Sequence, residues 1–174
     1  MIRSATCAAA LFTLAMPALA GPEAFQPGTV VPDYGKVAMI EGAELPADTV
    51  MKVAFDIGQA GPEDAISRSL ETPARFLNMH AAAGVDPANL HVALIVHGPA
   101  SADLLTDEAR GAPNPNAGLI AELLAAGATI ELCGQTSAMR DIAPEDLLPG
   151  VTIGLSAMST HALLQQQGYT LNPF

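Results

Sequence analysis

Apolar residues along the chain gather into short, nearly unbroken runs rather than alternating with polar ones. "VMKVAFDI" (50–57), "LHVALIVH" (90–97), "ATIEL" (128–132) and "GVTIGL" (150–155) are of strand length and rich in β-branched side chains. Runs of this kind suit strands covered on both faces. The segments between them carry helix start and stop signals. Thr72-Pro73 places a capping residue before a proline at a first helical position, and "ARFLNMHAAAG" then runs to Gly84 as a stop. Asn114-Pro115 repeats the device ahead of "NAGLIAELLAAG", which ends at Gly127. Ser156 or Ser159 is positioned to cap "THALLQQQG", ending at Gly168, and "YTLNPF" supplies a last strand. Strand and helix alternate throughout, which predicts an α/β fold: a three-layer α/β/α sandwich on a mostly parallel sheet of about five strands.

Upstream the pattern lapses. Residues 21–48 are punctuated by Pro and Gly without a sustained period and are expected to form an irregular arm, with "VAMI" (37–40) as a short edge strand. Residues 1–20, "MIRSATCAAALFTLAMPALA", place one arginine before an apolar run that closes in Ala18-Leu19-Ala20, the layout of a secretory signal peptide. The expected organisation is a signal over 1–20, an arm over 21–48 and an α/β domain over 49–174. The expected location is periplasmic or secreted. No later stretch reaches about 18 unbroken apolar residues, so no membrane association is expected after signal removal.

Composition sharpens this picture. Half of the residues are hydrophobic and 14% are charged, which favours one packed domain over disorder. The net charge of -11 becomes -12 once Arg3 leaves with the signal. Such a surface repels phosphate backbones, and no Lys/Arg cluster offsets it, so nucleic acid is excluded as a partner. With no Trp, two Tyr and five Phe, an aromatic cage or sugar-stacking platform is poorly supported.

In sheets of this type ligands collect beyond the carboxyl ends of the strands. The residues that follow the predicted strands there are Asp56, then His97-Gly98, then Cys133-Gly134-Gln135, then Ser156. Cys7 falls in the signal, which leaves Cys133 unpaired in an oxidising compartment. A lone cysteine there pairs between molecules, is a free reactive thiol, or is buried and inert. Cys133 sits between a strand end and the short helical stretch "TSAMRD", where unpaired N–H groups stabilise a thiolate. Gly134 leaves room beside it. His97 is a candidate general base or orienting residue for Cys133, against the plainer role of a strand-end histidine bonded to backbone. Asp56, Gly98, Gln135 and Ser156 complete a candidate ligand-binding edge, although Asp56 could equally cap the turn at Gly58. Arg140 offers positive potential nearby, or an ordinary surface pairing with Asp141 or Glu145. His80 and His91 are expected to be structural or solvent-facing.

Met139, Met158 and His161, with Cys133 and His97, are soft and imidazole groups of a kind that suits copper. No C-x-x-C, H-x-x-x-H or Met-x-x-Met spacing supports a metal site, and none is expected; no cofactor is expected either. Walker, dinucleotide and G-x-S-x-G patterns are absent.

The segments "KVAFDI", "NLHVALIVHGPA", "NPNAGLIAELLAAGATIELCGQTSAMRDI" and "LLPGVTIGLSAMSTHALLQQQGYTLNP" resemble the DsrE/DsrF-like family over roughly residues 36–174, most of all its exported single-domain branch. The resemblance implies a three-layer α/β fold with a parallel sheet and a homo-oligomer, trimer or hexamer. It also implies, as in sulfur-relay members, a persulfide-carrying cysteine at the end of the third strand, which here is Cys133. The expected function is that of a sulfur carrier that exchanges sulfane sulfur with a thiol or sulfur-donor protein. The alternative is a non-catalytic module that holds a small ligand or copper at the same edge.

Overall fold

A computed structural model describes residues 21–172. The expected signal segment, 1–20, lies outside them. Five strands form one sheet: β1 (Met51–Ile57), β2 (Leu90–Val96), β3 (Thr129–Cys133), β4 (Thr152–Gly154) and β5 (Thr170–Asn172). Their order is β4-β3-β2-β1-β5 and every pairing is parallel. The helices are α1 (Arg68–Ala82), α2 (Asp107–Arg110), α3 (Ala117–Ala125), α4 (Gly134–Arg140) and α5 (Ala157–Gln166). This is the α/β architecture that the apolar runs predict.

The two faces of the sheet are unequal. Val53, Phe55 and Ile57 of β1 and Val92, Leu94 and Val96 of β2 join Leu70, Leu77, Leu119 and Leu123 of α1 and α3 in the main core. Alternate positions, Ala54, Ala93 and Ile95, face the other way and meet Ala157, Leu164 and Tyr169. Alanines at two of these three positions let α5 lie close to the sheet. That face is thin, and α5 itself has no fully buried residue.

Several element boundaries differ from expectation. Helix α1 begins at Arg68, upstream of Thr72-Pro73, and contains Pro73. Leu70, Pro73, Ala74 and Leu77 are all buried at helical spacing, so burial of this stripe outweighs the one ladder bond that Pro73 cannot donate. Helix α3 begins at Ala117 with Asn116, not Asn114, at its N-cap; the Asn114 side-chain oxygen closes a turn ahead of the helix, accepting from the Asn116 N–H at 2.9 Å. Helix α4 starts at Gly134, directly after Cys133. The "VAMI" strand does not form. Val37 alone makes an antiparallel bridge to Gln26, while Met39 and Ile40 are exposed.

One side chain makes five of the bonds that fasten the arm. Asn78 is buried in α1, and its oxygen accepts from the N–H groups of Val30 and Val31 at 3.1 and 2.9 Å. Its amide nitrogen donates to the carbonyls of Val31, Tyr34 and Gly35 at 2.9, 2.9 and 3.2 Å. Val31 is thereby held in the main core, fully buried. No helix among the described residues is long and apolar enough to cross a membrane.

Candidate functional site

The carboxyl ends of β1, β2 and β3 and the start of α5 enclose a cleft of about 380 Å³. It is lined by Asp56, His97, Cys133, Gln135, Thr136, Ser156, Ala157, Met158 and His161. Five of the residues expected at this edge therefore converge on one space: Asp56, His97, Cys133, Gln135 and Ser156. Gly98 and Gly134 are not among the lining residues.

Cys133 is the last residue of β3 and immediately precedes α4, so its thiol sits where the N–H groups of that helix lack intrahelical partners. It is a free cysteine, buried with 7% of its surface exposed. Burial pushes the thiol up, but hydrogen bonds from the backbone N–H of Ala157, from the N–H and hydroxyl of Thr136 and from the N–H of Gln135 outweigh it. The net effect lowers the pKa below its ordinary value of 9.0. The Thr136 hydroxyl is itself fixed, because its oxygen accepts from the Gly98 N–H at 3.0 Å. Gly98 thus acts through Thr136, with a positive φ of 55° that a side chain would resist.

Gly134 serves a steric purpose. A Cβ at this position would stand 2.3 Å from the Gly154 carbonyl oxygen, so α4 can start beside β4 only without one. Ser156 caps α5: its hydroxyl accepts from the Ser159 N–H at 3.1 Å. Gln135 donates from its side chain to the Leu155 carbonyl at 3.2 Å. Both position the wall of the cleft, and so align the Ala157 N–H with the sulfur.

Asp56 does not cap the turn at Gly58. Its Oδ1 instead bridges two imidazoles, 2.8 Å from His161 Nε2 and 3.2 Å from His97 Nε2. Desolvation raises the carboxyl, but the bonds from His161 and His97 prevail and hold it below 3.8. The His97 ring is packed against Gly58, where a Cβ would come within 2.7 Å of its Cε1. Its place beyond β2 is the one expected; its partner is Asp56. His161, considered from sequence only as a soft-metal ligand, proves to be the second partner of that carboxylate. The signal that could have revealed it is its position five residues after the Ser156 cap, which turns it toward the strand ends on the first turns of α5.

Among the other candidates, Arg140 and Met139 are exposed and lie outside the cleft lining. His80 is inside α1, its Nδ1 2.8 Å from the Phe76 carbonyl, and His91 lies in β2 near its start. Among the described residues no group of three or more His, Cys, Asp or Glu side chains is arranged to hold a metal ion.

An all-parallel five-stranded sheet with its helices defines an α/β class of protein, and Cys133 is the last residue of its third strand. The model of the DsrE/DsrF-like family matches residues 52–173, and the chain belongs to that family. Among solved structures it is similar to a protein of unknown function, MTH1491, from Methanobacterium thermoautotrophicum. The two share 22% identity and a TM-score of 0.55 over 70% of this chain and 97% of that one. It is also similar to the ychN protein from E. coli, with 19% identity and a TM-score of 0.54 over 71% of this chain and all of that one. At these identities the likeness is one of fold. No curated protein sequence matches the chain significantly.

Proposed function

We propose that this protein is an exported sulfur carrier that takes up sulfane sulfur as a persulfide on Cys133 and passes it to an acceptor thiol. The observation that carries this reading is the ring of donors on the sulfur: the N–H groups of Ala157, Thr136 and Gln135 and the Thr136 hydroxyl. Donors fixed by α4, α5 and the Gly98 turn stabilise negative charge without reorganising, and they serve a thiolate and a perthiolate alike. An inert core cysteine has no use for them. The signal segment supports work in the periplasm or outside the cell, and the family resemblance supports a homo-oligomer, trimer or hexamer, that trades sulfur with thiol proteins.

In uptake, the Cys133 thiolate attacks the outer sulfur of a donor R–S–SH. A sulfur–sulfur bond forms at Cys133, the donor's own breaks, and RS⁻ leaves with the electron pair. Delivery is the same exchange in reverse, with an acceptor thiolate as nucleophile. Neither half changes the net oxidation state.

The test is intact-mass analysis after exposure to cysteine hydropersulfide. Wild type should gain about 32 mass units and Cys133→Ser should gain nothing while staying folded. An equal increment on both proteins overturns the carrier reading and leaves small-ligand binding in its place.

A further inference from the structure

Persulfide exchange creates and consumes thiolates, and each needs a proton moved to or from it at neutral pH. Cys133 has no bonded imidazole: its partners are amides and a hydroxyl. The groups in the cleft suited to holding a mobile proton are the two histidines on Asp56. From this geometry we infer that His161 and His97, bridged by Asp56, form a two-imidazole proton store that serves sulfur exchange at Cys133. The inference rests on the carrier reading and adds to it the route of the proton.

Both rings approach the same oxygen through Nε2. A carboxylate accepts and cannot donate, so each neutral ring carries its hydrogen on Nε2 and leaves the Nδ1 lone pair free. Asp56 thereby sets the tautomer of both rings. It also holds the two rings together on one oxygen, at 2.8 and 3.2 Å, on the wall of the cleft that Cys133 shares. Among groups facing the pair, Asp56 comes from β1, Cys133 from β3, and each imidazole faces the other from α5 and the end of β2. Glu131 of β3 accepts a bond from the Thr160 hydroxyl of α5, and no Lys or Arg lines the cleft. The Asp56 carboxylate is thus the fixed charge against which the store works.

The proton account closes over one cycle. On uptake the departing RS⁻ takes a proton from the imidazolium and leaves as RSH, while the pair becomes neutral. On delivery the acceptor thiol gives its proton to the neutral pair, and the thiolate so formed attacks the outer sulfur of the Cys133 persulfide. The Cys133 thiolate and the protonated pair are both restored. Asp56 remains ionised throughout and acts as a positioning residue.

The experiment follows both half-reactions by rapid-quench mass analysis between about pH 5.5 and 8.5. Cysteine hydropersulfide is the donor and 2-mercaptoethanol the acceptor, with wild type, His161→Gln, His97→Gln and Asp56→Asn compared. Loss of His161 should slow both half-reactions about 100-fold without changing the final loaded mass, and added imidazole should restore part of the rate. Asp56→Asn should displace the alkaline limb of the uptake profile, because both rings lose the acceptor that orients them. Thermal melts identify any variant that fails to fold, and His161→Asn replaces His161→Gln in that event. Unchanged rates and an unmoved limb in the variants, with wild type loading normally, overturn the proton store and leave the carrier intact. A wild type that does not load sinks the carrier reading and the store with it.

Discussion

Two opposed influences act on the sulfur of Cys133: burial favours the neutral thiol, and surrounding N–H and O–H donors favour the thiolate. The donors win, so the folded pKa lies below 9.0. The folded chain then binds fewer protons than the unfolded one between the folded value and 9.0. Stability from this source is complete above 9.0 and vanishes as pH falls through the folded value. The stability difference between wild type and Cys133→Ser, read by urea unfolding across that window, should therefore grow with pH. A flat difference would show the donors to be too weak. Alkylation of the native protein should likewise reach half its maximal rate at lower pH than in urea-unfolded protein. At the same scale, Gly58→Ala should displace the His97 ring, since the new Cβ would lie 2.7 Å from Cε1. His97 signals in NMR spectra should shift while those of β3 stay in place.

At the scale of elements, the clearest dependence is that of the arm on α1. Asn78→Ala removes the partner of two N–H groups and three carbonyls and leaves a cavity in a buried site. It should lower stability by about 2–4 kcal/mol, with faster hydrogen exchange at Val30 and Val31. Gly134→Ala forces α4 away from β4 and should cost about 1–3 kcal/mol, with a rise in the Cys133 pKa as the Gln135 and Thr136 amides shift. Unaltered alkylation in that variant would mean that the start of α4 has slack. Elements are also where the sequence was most informative. Runs such as "LHVALIVH" have no polar face and so announce a strand covered on both sides, and Cys133 could be placed at a strand end from that alone. The start of α1 was misread because Pro73 suggested a first turn, while the stripe beginning at Leu70 carried the stronger term. The place of His161 on the first turns of α5 follows from the Ser156 cap, but its bond to Asp56 depends on how α5 lies across the sheet.

For the whole molecule, the unequal sheet faces matter most. Leu155, Met158 and Leu163 are exposed at 73%, 80% and 57% on or beside α5, the element that roofs the thin face next to the cleft. A chain of net charge -11 would repel copies of itself at long range, so assembly would depend on apolar contact and strengthen with salt. The implied trimer or hexamer should appear in light scattering as three or six times the chain mass, and Leu155→Glu should reduce it. A monomer at all salt concentrations would remove the oligomer from the proposal. The donors around Cys133 have a further consequence. They come from Thr136, which is tied to Gly98 38 residues earlier, and from Ala157 on the last helix. A growing chain lacks that helix, so its cysteine has the sluggishness of an ordinary thiol. Reactivity then becomes a property that the polypeptide acquires only on maturation, a chemical latch that opens when the final helix docks. Pulse alkylation during refolding should show thiolate character appearing in step with protection of the Ala157 amide, and not earlier with β2 and β3.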